Sequence, residues 1–300
     1  MGHVALSVGG IYLFILLGYF AKRHFHEKID EKTLVLVSIY ILQPILVFWG
    51  FTHKKIDLGV ISAPAIFVLI ILLLTAVVIP MARLFFEDPR EQSVVIATSI
   101  IGNTGNLGIP LGIALFGEAS VIYTSIINLA NIFLVYTIGV FFYSRGAFSV
   151  KESLKNIFRL PAIWFGFFAI GFNLLHLKIP GELQTPLQMG AYATMVIQLL
   201  IFGIYLQGVK PAHISRRLLL FVGSVKFLLI PLLGVGVLSL FVAEPLVRSV
   251  ILLELIVPIA VMNVNLAALY ECKPSEVAFL TFATSLLFLL YLPLVVNMLR

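Results

Sequence analysis

The sequence GNTGNLGIPLG (residues 102–112) lies in the middle of an apolar stretch, Ser93 to Phe116, that is long enough to cross a bilayer. The quoted segment cannot form a good helix. Three glycines, two asparagines and Pro110 fall within positions 102–110, and they weaken a helix through backbone entropy and a missing N–H. In hydrocarbon, freed backbone polar groups are so costly that such a segment persists only inside protein or beside a watery cavity. Gly105, Gly108 and Pro110 are therefore read as the elements of a helix break.

The surrounding chain is a membrane protein by composition: 61% of residues are hydrophobic, 11% are charged, and the mean hydropathy is +1.10. Its formal charge of +6 comes from Lys and Arg in short loops between apolar runs, which points to membrane orientation and a lipid bilayer as partner rather than to nucleic acid. The single Cys272 excludes an internal disulfide and a cysteine metal cluster. The apolar start, residues 4–21, lacks a basic leader and is followed by Lys22 and Arg23, so it reads as a membrane span and not as a cleaved signal. The opening Met1-Gly2 has Leu6 where a myristoylation signal wants Ser or Thr.

Runs able to cross about 30 Å of hydrocarbon, about 20 residues of helix each, fall near 4–21, 33–51, 60–82, 93–116, 119–143, 160–177, 186–206, 217–242, 246–270 and 275–298. That predicts an all-α membrane protein of ten transmembrane helices. Loops 1–2, 3–4, 5–6, 7–8 and 9–10 hold 14 Lys and Arg residues against 5 on the other side, which predicts that both termini lie outside the cell membrane. A shift of 156 residues superposes span 1 on span 6, the Lys54 loop on the Lys210 loop, and Ser93-Val94 on Ser249-Val250. The match is one of hydropathy and loop position. It predicts two five-helix repeats, residues 1–143 and 160–300, joined by a cytoplasmic connection at 144–159; five being odd, the repeats are inverted.

The same shift sets the span 4 break opposite PIAVMNVN (residues 258–265) in span 9, where Pro258 removes a helical hydrogen bond ahead of Asn263 and Asn265. These echo Asn103 and Asn106. Two broken helices crossing at mid-depth would aim half-helix N-termini at one point, and their open N–H donors and partial positive charge suit an anion.

Polar residues within the spans extend this set. Asn128 and Asn131 share a face of span 5, either as a ligand contact or as helix–helix glue. Gln43 beside Pro44 in span 2 has the same two readings, whereas Asn173 and Gln198 read as packing. Glu254 is the sole acid inside a span and Lys226 the sole base, so both are candidates for coupling or charge recognition. Helix rise separates their depths by about 7 Å. Lys226 is expected to extend toward its nearer interface, leaving Glu254 as the stronger functional candidate. His24, His26 and Glu27 sit in a charged loop, no metal-ligand pattern or phosphate-binding loop occurs, and neither a cofactor nor an enzymatic activity is expected.

At these residues the chain resembles the auxin efflux carrier family. NTGNLGIP (103–110) followed by ALFGE (114–118) resembles its span 4 motif, and YTIG (136–139) its span 5. PIAVMN (258–263) with Ala267, Tyr270, Pro274 and Leu292-Pro293 resembles its C-terminal pair, while Gly18-Tyr19 and Pro44 fit spans 1 and 2. The resemblance implies two inverted five-span repeats with helices 4 and 9 crossed and broken, outside termini, and export of organic anions: auxin in plants, malate, malonate and similar carboxylates in bacteria, where the location is the inner membrane. It also implies that Asn131 is a polar site residue and that Pro110 and Asn263 mark the two crossover points. Plant members have a second proline where this chain has Asn263, and their long cytoplasmic loop is a short basic connection here.

Together these readings give a secondary transporter of a small organic anion, working by alternating access, with Asn103, Asn106, Asn128, Asn131, Asn263, Asn265 and Gln43 as candidate contacts and a homodimer as a possible assembly. Alternatives are a sodium-coupled symporter of bile-acid carrier type and a membrane sensor of an organic acid.

Overall fold

Apolar runs bounded by charged or proline-containing loops become helices throughout. The computed structural model describes residues 2–53, 61–145, 148–208, 215–242 and 244–299; the expected match of the Lys54 and Lys210 loops lies outside them. The helices are α1 (Gly2–Phe25), α2 (Glu31–Leu36), α3 (Gln43–His53), α4 (Ser62–Phe85), α5 (Pro89–Ile100), α6 (Ile109–Phe116), α7 (Val121–Leu134) and α8 (Val140–Arg145). They continue with α9 (Val150–Arg159), α10 (Pro161–Leu174), α11 (Gly181–Gln207), α12 (Arg216–Ser224), α13 (Ile230–Phe241), α14 (Pro245–Ile256), α15 (Met262–Leu269) and α16 (Pro274–Leu299). Among the described residues there is no strand. Among the residues described with their side chains, five helical runs are long and apolar enough to cross a membrane: Glu31–Thr52, Ser62–Phe85, Ile122–Arg145, Gly181–Gln207 and Arg216–Phe241; Pro161–Leu174 and the Pro274–Phe288 part of α16 are shorter apolar stretches.

Several of these runs contain a wide π turn. Val37–Leu42 joins α2 to α3, Thr104–Gly108 precedes α6, Val135–Gly139 joins α7 to α8, and Val225–Leu229 joins α12 to α13. Three of the four end two residues before a proline, at Pro44, Pro110 and Pro231. A proline ring crowds the carbonyl four residues back and offers no N–H, and widening the preceding turn relieves both effects.

Residues 144–159, expected to be a plain basic connection, contain the ten-residue helix α9. Ser149 and Glu152 form a capping box at its start. Asn156 and Ile157 are buried while Lys151, Lys155, Phe158 and Arg159 are exposed, so the helix is amphipathic and packs one face on its neighbours. The short charged segment hid a helix because its apolar face is only a few residues wide.

The helices pack as two groups. One consists of α1, α2–α3, α10 and α11; the other of α4, α5–α6, α7–α8, α12–α13, α14–α15 and α16. In the first group α1 and α11 touch backbone to backbone: a Cβ added at Gly203 would lie 1.9 Å from the Ile15 carbonyl oxygen, and one at Gly18 would lie 2.2 Å from that of Leu200. Between membrane helices, where hydrophobic driving force is weak, such close approach supplies the packing. The groups meet along α11 with α15 and α16, α2 with α15, α1 with α6, and α3 with α7. At one end the charged helix termini are tied together: Lys22 pairs with Glu31 at 2.8 Å, Lys32 with Glu271 at 2.9 Å, and Lys273 with Asp88 at 3.1 Å and Glu91 at 2.9 Å.

Gly203→Ala forces the α1 and α11 backbones apart and is expected to cost about 1–3 kcal/mol. Gly171→Ala, whose new Cβ meets nothing within 4 Å, is expected to leave stability unchanged or slightly raised. Thermal unfolding of the two variants in detergent checks the difference.

Candidate functional site

The two interrupted helices meet at their interruptions. α5 ends at Ile100 and α14 at Ile256, and the following residues run antiparallel past one another, with Gly102 opposite Ile259. The Asn103 N–H donates to the Pro258 carbonyl at 2.8 Å, and the Ala260 N–H donates to the Ile101 carbonyl at 3.1 Å. Backbone groups released by each break are thus satisfied by the other, which removes the cost of irregular backbone away from water. Gly102 permits the approach: a Cβ there would lie 3.1 Å from Val257 Cγ2 and 3.5 Å from Lys226 Nζ. The first break falls at Ile101–Asn103, ahead of the expected Gly105, Gly108 and Pro110. Gly105 and Gly108 belong to the π turn, and Pro110 follows it at the start of α6, where the widened turn accommodates the missing N–H. Pro258 lies in the second break.

Side chains hold the crossing in place. Asn131 Nδ2 donates to the Gly102 carbonyl at 2.9 Å and to Thr104 Oγ1 at 3.0 Å, and Thr104 Oγ1 donates to Asn128 Oδ1 at 2.8 Å. Asn263 Nδ2 donates to the carbonyls of Ile101 at 3.2 Å and Ala260 at 3.0 Å, while its Oδ1 accepts from Tyr143 OH at 2.9 Å. Lys226 is 1% exposed, and its Nζ donates to the Val257 carbonyl at 3.3 Å. The expectation that Lys226 extends to the interface is therefore corrected. Val257 follows the last turn of α14, where carbonyls lack intrahelical partners and a cation is favoured, so the lysine turns inward.

A cavity of about 580 Å³ opens at this crossing, between the two helix groups. From the second group it is lined by Gly102, Asn103, Thr104, Gly105, Ser125, Asn128, Asn131, Tyr136 and residues 260–262; from the first, by Gln43, Leu46, Trp49, Gly50, Tyr192, Met195 and Gln198. Both second half-helices begin at its wall, one with Thr104 and the other with Met262. The positive dipole ends of both half-helices therefore face a cavity whose described lining contains no charged side chain; at the Met262 start the Asn263 and Val264 N–H groups already donate to the Ala260 and Val261 carbonyls, at 3.0 and 2.9 Å. Asn131 Oδ1 is buried without a hydrogen-bond partner among the described residues.

Of the residues expected from sequence, Gln43, Asn103, Asn128 and Asn131 come together on this cavity. Asn263 braces the crossing from behind, and Asn265 is buried in α15 away from the lining, with neither side-chain atom bonded. Nothing in the structure accounts for Asn265. The side chains of Asn106 and Pro110 lie outside the described residues. Gln198, read as packing, lines the cavity and donates to Gln43 Oε1. Trp49 and Tyr192, whose rings meet edge to face at 5.9 Å, were not singled out either. Gln198 did carry a signal: it is an amide in an apolar span, as Gln43 is.

A cavity carrying several amide side chains and framed by two broken helices, in a bundle of apolar helices, fits a membrane transport protein, and similarity to known proteins agrees. The chain belongs to the family of membrane transport proteins, the auxin efflux carriers, whose sequence model matches residues 3–157. It is 25% identical over 299 residues to an uncharacterized transporter of Methanocaldococcus jannaschii, an alignment that covers 95% of each chain.

A Cβ at Gly108 would lie 2.0 Å from Glu254 Oε2, so Gly108→Ala overpacks the space behind the π turn. Its melting temperature is expected to fall by about 5 °C. Adding Glu254→Ala to the same chain is expected to recover most of the loss, and thermal melts of the single and double variants check the coupling.

Proposed function

We propose that the chain is a secondary carrier of a small organic anion, a carboxylate, with the anion held in the crossing cavity. The observation that carries this reading is the meeting of two half-helix starts, at Thr104 and Met262, on one uncharged wall. Fixed dipoles and N–H donors replace part of an anion's hydration shell without the long side chains that would hold it too tightly to release. Asn103 and Asn128 supply amide donors. Trp49, Leu46 and Met195 provide the apolar wall for the rest of the molecule.

The cavity's position between two helix groups supports alternating access: displacement of the group bearing the crossing against the group bearing Gln43 and Gln198 would open it to either side in turn. Counting each broken or π-kinked run once gives ten spans, in keeping with two inverted five-span repeats. The termini then lie outside the cell membrane. The clasp formed by Lys22, Lys32 and Lys273 falls on the cytoplasmic side assigned by the basic loops. Export is the direction that the family resemblance implies.

The test is a panel of carboxylates in thermal-shift assays with purified protein, followed by counterflow in proteoliposomes. The expected result is a raised melting temperature with at least one small carboxylate and exchange of that compound across the vesicle membrane. Asn128→Ala is expected to weaken its binding about tenfold, and to lower the ligand-free melt slightly because Thr104 loses its acceptor. Binding without counterflow would make the protein a receptor, and loss of counterflow on replacing sodium with choline would make it a sodium symporter.

A further inference from the structure

The mechanism just proposed leaves one buried ionisable group without a task. Glu254 lies in the last turn of α14, just before the second break, and is 1% exposed. Neither carboxyl oxygen has a hydrogen-bond partner among the described residues. The carboxyl is pressed against the π turn that leads into α6: a Cβ at Gly108 would lie 2.0 Å from one oxygen and 2.6 Å from the other. The start of that turn, Thr104 and Gly105, lines the anion cavity. A single helical turn thus has the cavity at one end and an unpartnered carboxyl at the other.

The charged and titratable groups on the elements packed around α14 are few. Lys226, on the π turn between α12 and α13, points to the crossing and donates to the Val257 carbonyl. Arg248, on α14 itself, turns away to the Val242 carbonyl. On α4, Arg83 lies in the last turn; on α7, Tyr123 is half-buried; on α16, Glu276 pairs with Lys273 at 3.9 Å, and Tyr291 packs edge to face on Phe227. The side chain of Glu118 lies outside the described residues. None of the described groups forms an ion pair with Glu254. An isolated carboxylate with no donor in a dry interior is strongly disfavoured against its neutral form.

We propose that Glu254 is a proton-binding site linked to the anion site, so that the carrier binds and moves a proton together with its carboxylate. This rests on the carboxylate reading of the cavity. With the proton in place, the crossing presents the positive dipole ends of the half-helices to the anion and no negative charge stands behind them. With the proton gone, a negative charge stands about one helix diameter, roughly 10 Å, from the bound anion. At an effective dielectric of about 20, that repulsion weakens anion binding about tenfold. By linkage the anion raises the affinity of Glu254 for its proton by the same factor. Anion affinity is therefore highest at low pH and falls to a lower plateau as Glu254 loses its proton.

The experiment uses the full chain in detergent with malate as probe, measuring malate affinity and proton uptake on binding, by an indicator dye in weak buffer, across the pH range over which the protein stays folded. The wild type is expected to take up protons when malate binds and to lose about tenfold in affinity across the range. Glu254→Gln, which is neutral at every pH, is expected to take up none and to keep the wild type's low-pH affinity throughout. Absence of proton uptake by the wild type, or uptake that survives in Glu254→Gln, overturns the proposal. If the glutamine variant fails to fold, Glu254→Asp takes its place: it must retain uptake with a displaced pH midpoint, and an unmoved midpoint overturns the assignment. If neither malate nor any other carboxylate of the panel binds to either protein, the carboxylate reading of the cavity fails. The infrared band of a protonated carboxyl then decides the proton site alone: its presence in the ligand-free wild type and loss in Glu254→Gln supports the site, and its absence from the wild type overturns it.

Discussion

Two backbone hydrogen bonds, Asn103 N–H to Pro258 and Ala260 N–H to Ile101, underlie the rest of the structure. A chain as apolar as this one must satisfy its peptide groups internally, and an interrupted helix leaves several without partners. Here two interruptions occur at the same place and cancel each other's deficit. The antiparallel pairing of Gly102 with Ile259 is a minimal piece of sheet, two residues wide, inside an otherwise helical molecule.

The crossing also explains why the cavity carries polar groups without charge. Four carbonyls at the break have named donors: Asn263 and the Ala260 N–H for Ile101, Asn131 for Gly102, Lys226 for Val257 and the Asn103 N–H for Pro258. The bracing consumes acceptors, while the starts of both second half-helices, Thr104 and Met262, turn the positive ends of their dipoles to the cavity. The opposite wall comes from the other helix group, so on the carrier reading proposed above a bound anion would touch both groups.

Much of this was legible in the residues. The glycine and asparagine cluster after Ser99 and the proline at 258 announced both breaks, and the 156-residue shift paired them. The three-residue spacing of Asn128 and Asn131 put both on one face, and both reach the cavity. What hydropathy could not supply was the direction of side chains across helices. Asn263 and Asn265, two apart on α15, point away from the cavity, one to Tyr143 and the crossing and the other into packing. Lys226 turned inward because a carbonyl freed by a break in another helix lay within reach, a partner 31 residues away. Gln198 looked like packing since its counterpart Gln43 is 155 residues distant. The break itself moved to 101–103 since backbone contact, and not local helix propensity, chose the residue without a side chain.

Hydrogen–deuterium exchange at single-residue resolution on the backbone amides of Asn103 and Ala260 tests the crossing most directly. Both lie outside any helix and beside a solvent-sized cavity, so only the cross-break bonds can protect them. The account predicts protection equal to that of neighbouring helical amides such as Val257 and Ile101, whose N–H groups bond to Leu253 and Ala97. Exchange as fast as at the exposed Glu271 turn would mean that the two broken helices do not sustain one another, and the site built on their meeting would lose its foundation.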